Sequence, residues 1–224
     1  MNQEETIIFI GPSLETSIAI AKLKANYRPP VRRGDLSKLL ESELTVRQVA
    51  IIDGEFGQSL AVSVTEIRSL LQAGIQVFGA SSMGALRAAE CKVLGMRGVG
   101  WIYEAYLQGL LQADDEVALL FDPLSKYAVT VPLVNVRWSL ELAVKAGAVD
   151  VAAQDKLLTI AKNISFRERT YNALIAGASQ RDLRCEAQNL ADFVAVRPLE
   201  CDRKRLDALM LLDVLKEKYC YVHS

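Results

Sequence analysis

Two serines, Ser81 and Ser82, stand in the run "GASSMGALRAAE", directly after the apolar stretch Ile75-Gln-Val-Phe78. Around Ser82 the spacing is Ala80-x-Ser82-x-Gly84, with small residues two before and two after the serine. A nucleophile on a sharp strand-to-helix turn needs that spacing, because the turn crowds those positions and holds the hydroxyl over the start of a helix. The same helix start would offer backbone N–H donors to a developing oxyanion. A structural reading accounts for the same residues: a tight turn made of small side chains, with Ser81 or Ser82 capping the helix. Both readings stand on these residues alone.

A serine nucleophile needs a base. The only histidine, His223, is the penultimate residue, so a Ser-His-Asp triad is not easily assembled, and a desolvated lysine is the natural substitute. Lys92 is nearest in sequence to Ser82, but ten helical residues displace it by about 15 Å, so the base comes from elsewhere in the fold. Arg87 and Glu90 are three apart and share a helix face, which suits a surface pair. Equally, Arg87 lies among small apolar residues, where a fixed guanidinium would receive a carboxylate or pair with a loop acid such as Asp53.

Two further patterns carry less. Asp114-Asp115-Glu116 invites a hard cation, but adjacent residues do not share a face and no further acid follows at ligand spacing. An acidic corner that caps backbone or meets a basic partner is the better reading, and neither a metal nor a cofactor is expected. Gly95-x-x-Gly98-x-Gly100 reverses the dinucleotide-binding order and reads as a turn linking helices.

The elements that must position these residues alternate. "TIIFIG", "QVAIIDG" and "IQVFGA" read as strands, each followed by a helical stretch. Ser13 is placed to cap the first helix, in "SLETSIAIAKLKA". The second strand's helix opens with a capping box, Ser63 with Glu66, and closes at Gly74. Between these units, "YRPPVRRGDL" reads as an ordered basic loop, with a brief helix restarting at Gly34-Asp35. The expected fold is α/β, a parallel-sheet core of strand-helix repeats in the N-terminal half, with a mostly helical C-terminal part. The division expected is a core over 1–135 and a helical region over 136–224 packed on it. In such sheets chemistry gathers at the carboxyl ends of strands, so Gly11-Pro12-Ser13, Asp53-Gly54-Glu55-Phe56 and Gly79-Ala80-Ser81-Ser82 should converge. A helix is expected from Val99 to about Gln112, and four more in "VRWSLELAVKAG", "VAAQDKLLTIAKN", "FRERTYNALIAGA" and "DRKRLDALMLLDVLKEKY".

The whole chain narrows the function classes. Its 27 acidic and 26 basic residues nearly cancel, which argues against a duplex nucleic-acid partner. No apolar run approaches the roughly 20 residues of a membrane span, and the N-terminus is unlike a secretory signal, so a cytoplasmic protein is expected. The four cysteines, Cys91, Cys185, Cys201 and Cys220, form no C-x-x-C pair and read as buried or idle thiols.

Taken in order, "FIGPSL", "YRPPVRRGDL", "IIDGEF", "VFGASSMGALRAAE", "GMRGVGWIYEAY" and "ADDEVALL" resemble the TfuA-like family, from about residue 8 to 121 and on through "LVNVRWSLELAVKAG". The resemblance implies a role in peptide backbone thioamidation: partnership with a YcaO enzyme, and hydrolysis of a thiocarboxylated, ThiS-like sulfur carrier to release sulfide. It implies a hydrolase-like Ser-Lys site, with Ser82 matching the family's serine. Members often carry His-Lys-Glu-Ile where this chain has Val64-Thr65-Glu66-Ile67, and a threonine hydroxyl cannot serve as that base near neutrality.

The resulting expectation is a Ser-dependent hydrolase with Ser82 as nucleophile and with Arg87 and Asp53 organising its pocket. Ser81, Gly84, Glu66, Glu90, Asp114, Asp115 and Glu116 are candidates for binding substrate or partner, Ser81 serving equally as packing. The acidic corner and the Arg28-to-Arg33 loop are candidate docking surfaces, and a homo-oligomer is admitted. The alternative is a non-catalytic adaptor that raises YcaO affinity for its peptide. A nucleotide- or small-molecule-binding α/β domain ranks last, because no phosphate-cradling glycine motif is present.

Overall fold

The computed structural model describes residues 5–42, 45–57, 59–122 and 128–221, leaving His223 outside the described residues. The chain divides into two compact units, one of residues 1–112 with 204–224 and one of residues 113–203. The last helix belongs with the first unit.

The first unit is built on five parallel strands: β1 Thr6–Phe9, β2 Asn26–Arg28, β3 Gln48–Ile51, β4 Gln76–Ala80 and β5 Arg97–Val99. Their order is β2-β1-β3-β4-β5. β1 and β3 are buried along their whole length, as runs rich in Ile and Val must be when helices cover both faces of a parallel sheet. Ile8, Ala50 and Phe78 share one core cluster with Leu14, Ala19 and Leu23 around α1 (Thr16–Lys22) and with Ala208, Leu211, Leu212 and Leu215 of α11 (Arg203–Tyr221). Alternate residues such as Ile7, Val49 and Val77 face the other way. There α2 (Asp35–Glu41) packs on α3 (Val64–Gln72), α3 on β4, and α4 (Met83–Glu90) on β3 and β4.

Local signals explain several boundaries. Ser63 and Glu66 form the expected capping box at the start of α3: the Glu66 N–H donates to Ser63 Oγ and the Ser63 N–H to Glu66 Oε2. Ser13 does not cap α1, whose N-cap is Glu15 without a side-chain bond. The glycine-rich segment expected to be only a turn contains β5. Gly98 is required there because the Tyr103 ring lies where a Cβ would stand. The helix after it, α5 (Trp101–Leu107), is shorter than expected and is capped by Asp207, which accepts from the N–H groups of Trp101 and Ile102.

The second unit is helical: α6 Leu133–Lys145, α7 Val151–Lys162, α8 Tyr171–Ser179, α9 Arg184–Val196 and α10 Pro198–Cys201. Its core includes Leu140, Leu157, Leu174 and Leu190. The acidic corner is internal to this unit. Glu116 receives a bidentate fork from Arg137, at 2.6 and 2.9 Å, and Asp115 receives buried Arg169 at 3.2 Å. Among the described residues no helix is long and apolar enough to cross a membrane.

Candidate active site

In a doubly wound sheet the connections reverse direction between two neighbouring strands, and the crevice beyond their carboxyl ends takes ligands. Here the reversal lies between β1 and β3. Asp53, two residues past β3, stands at that point and is 2 % exposed. Its Oδ2 accepts from the N–H groups of Gly11 and Ser13 at 2.8 and 3.1 Å, and its Oδ1 accepts from Ser13 Oγ at 2.6 Å. The backbone of Asp53 also accepts from the Val31 N–H, which brings in the loop after β2. Asp53 is the anchor that gathers these loops.

The third expected loop arrives through backbone bonds. The N–H groups of Ser82 and Gly84 both donate to the Ile52 carbonyl, one residue before Asp53. Gly84 is a packing glycine, because a Cβ there would overlap the Ile51 carbonyl oxygen and crowd Gly79. Lacking both Cβ atoms, α4 can lie directly against β3 and β4, which fixes Ser81 and Ser82 at the carboxyl edge of the sheet.

Ser82 occupies the N-cap position of α4, and its carbonyl accepts from Ala85 and Leu86, yet its hydroxyl makes no bond to the helix. The capping role that competed with chemistry is therefore unfilled. Met83 is the residue after it, and among the described residues the Met83 N–H has no acceptor. Ser81 sits at φ 67°, in the left-handed region, and its fully buried Oγ has no hydrogen-bond partner.

Lys204 also stands at this edge, with no sequence motif to mark it. It is 2 % exposed, and its Nζ stands 4.0 Å from Asp53 Oδ1, at the sheet edge that carries the serine turn. A signal was present: Lys204 falls four and seven residues before Ala208 and Leu211, on the apolar stripe of α11 that enters the core. A lysine in register with a buried stripe is desolvated, and a charged group there needs a partner.

The other expected residues are held in separate duties. Arg87 donates from Nε to the Val62 carbonyl at 2.8 Å and pairs with Glu90 at 2.6 Å, so the surface-pair reading describes it and Asp53 is not its partner. Glu66, besides its capping box, accepts from the Gly34 N–H at 2.7 Å and ties α3 to the start of α2. Thr65 is exposed in the first turn of α3. Asp114, Asp115 and Glu116 belong to the second unit. Among the described residues no group of three His, Cys, Asp or Glu side chains is placed to hold a metal.

A model of the TfuA-like protein family matches residues 53–170, more than half of the chain. The chain belongs to the TfuA-like family. The match begins at Asp53 and includes the serine turn, whereas Lys204 lies beyond it. No curated protein matches the chain. Membership gives this TfuA-like protein a role as an accessory protein of thioamidation, in a family associated with YcaO enzymes.

Proposed function

We propose that this TfuA-like protein hydrolyses the C-terminal thiocarboxylate of a small ThiS-like sulfur carrier and delivers the sulfide to a YcaO enzyme for backbone thioamidation. Ser82 Oγ attacks the thiocarboxylate carbon while its proton passes to Lys204 Nζ, present as the free amine in the reactive form. The oxyanion that develops takes the Met83 N–H. Collapse breaks the C–S bond, sulfur departs with the proton as hydrosulfide, and the carrier is left as an ester on Ser82. Water then cleaves the ester, returning Ser82 and a carrier carboxylate. The carrying observation is the pairing of an N-cap hydroxyl that does not cap with a following N–H that has no acceptor. The test mixes the protein with thiocarboxylated carrier and follows both sulfide and the carrier's change in mass. Release by the wild type and none by Ser82→Ala supports the reading, and equal release by both rejects it.

The second reading, a non-catalytic adaptor, is favoured by two observations. Ser81 and Ser82 are 0 % and 2 % exposed, so a carrier tail reaches them only if neighbouring loops part, and position 65 lacks the lysine common in the family. An adaptor would raise YcaO affinity for its peptide without releasing sulfide, and Thr65→Lys would create release where the wild type has none. A wild type that releases sulfide unaided excludes it.

A further inference from the structure

Ser81 combines two costs that other residues would avoid. Its φ of 67° is readily adopted by glycine and disfavoured for serine. Its hydroxyl is fully buried and unpartnered, which alanine or glycine would not leave behind. Packing explains a small residue at this position but not a hydroxyl. An orphaned polar group in a strained turn points to a partner that arrives with the ligand.

The donors around the turn narrow what that partner is. The N–H groups of Ser82 and Gly84 are both spent on the Ile52 carbonyl, and Asp53 takes those of Gly11 and Ser13. Among the described residues, what remains unused at the start of α4 besides the Ser82 hydroxyl is the Met83 N–H and the Ser81 O–H, flanking Ser82 on either side in sequence. Both can donate to an acceptor, and the positive end of α4 favours one that carries negative charge.

We infer that the Ser81 hydroxyl is the second oxyanion donor of the site, binding together with the Met83 N–H the oxygen of an anionic acyl group such as a C-terminal thiocarboxylate. This rests on the hydrolase reading above and assigns Ser81 within it. As the Ser82 Oγ–C bond forms, the carbonyl π pair moves onto oxygen. Ser81 donates a hydrogen bond to that oxygen without transferring its proton, and when the C–S bond breaks the pair returns to the carbonyl. Ser81 is thus a catalytic residue distinct from the nucleophile.

The experiment measures steady-state sulfide release from a small carrier protein bearing a C-terminal thiocarboxylate, with wild type, Ser81→Ala, Ser81→Gly and Ser82→Ala, beside thermal unfolding of each. Loss of one oxyanion donor lowers kcat by about 10²-fold. Ser81→Ala and Ser81→Gly should show that loss in kcat, with KM changed by less than about threefold and Tm equal to or above wild type. Wild-type kcat in Ser81→Ala overturns the assignment, as does a kcat loss that tracks a fall in Tm in both variants, the mark of packing alone. If Ser82→Ala also matches wild type, the hydrolase reading itself has failed. If Ser82→Ala is inactive while Ser81→Ala is not, only the role of Ser81 has failed.

Discussion

Lys204 Nζ and Asp53 Oδ1 lie 4.0 Å apart with both side chains sealed from solvent, one delivered by the C-terminal helix α11 and the other by the end of β3. Asp53 already accepts three hydrogen bonds from the loop after β1, so its charge is satisfied without the lysine. Lys204 is buried beside that carboxylate, at the carboxyl edge of the sheet.

Replacing this lysine separates chemistry from folding. Lys204→Met keeps most of the length of the side chain and removes its ability to exchange a proton. Sulfide release should fall by about 10²- to 10⁴-fold, the usual worth of a positioned base. The kcat of both proteins is the check, and an unchanged kcat excludes Lys204 as the base.

Asp53→Ala should do broader damage. It leaves the N–H groups of Gly11 and Ser13 without their acceptor and removes the carboxylate beside buried Lys204. Breaking a buried pair in this way costs about 3–5 kcal/mol. Urea denaturation monitored on the first unit should show that loss, with Ser13→Ala costing only about 1 kcal/mol because it removes one hydrogen bond and leaves the two backbone bonds in place.

Gly84 tests the seating of the serine turn. In Gly84→Ala the new methyl overlaps the Ile51 carbonyl, so α4 must lift from β3 and carry Ser82 with it. Overpacking at such a contact costs about 1–3 kcal/mol. Activity should drop by more than the unfolded fraction accounts for, as measured by release rate against denaturation of the same sample.

The second unit has its own titration. Burial, opposed by a hydrogen bond to Ser139, pushes the Tyr171 hydroxyl up to about 12 from its ordinary value of 10.0. A raised pKa means that folding favours the neutral phenol. The associated stability is fully present below pH 10 and is lost as pH climbs through about 12. Alkaline unfolding in that window should be weaker in Tyr171→Phe, which has no phenol to ionise. Ultraviolet tyrosine titration in parallel identifies the late-ionising group.

Much of the fold could be read from residues alone. The buried β-branched runs of β1, β3 and β4 and the Ser63–Glu66 box signalled their elements plainly, because full burial and a reciprocal cap are local in sequence. β2 and β5 escaped notice as three-residue strands at the sheet's two edges, where Tyr27-Arg28 before two prolines and Arg97-Gly98 look like loop. α9 begins without a capping side chain, at Leu183, and so announces itself poorly.

The site divides along similar lines. Ser82 is a candidate legible in the sequence because a turn of small residues is a sequence pattern. Arg87 and Glu66 were drawn in as candidates by the company they keep in sequence, and they turn out to hold Val62 and Gly34 in place. The place of Lys204 is not legible because it is tertiary: 151 positions separate it from Asp53, and only the return of α11 to the sheet brings them together.

The central claim is that Ser82 becomes acylated. Mixing the protein with thiocarboxylated carrier, quenching in acid within the first turnovers and weighing the products intact should reveal a covalent adduct whose mass is that of protein plus carrier minus hydrogen sulfide. Peptide mapping should place it on Ser82, and Ser82→Ala should form none. Sulfide release without any such adduct, or an adduct undiminished in Ser82→Ala, would contradict the account.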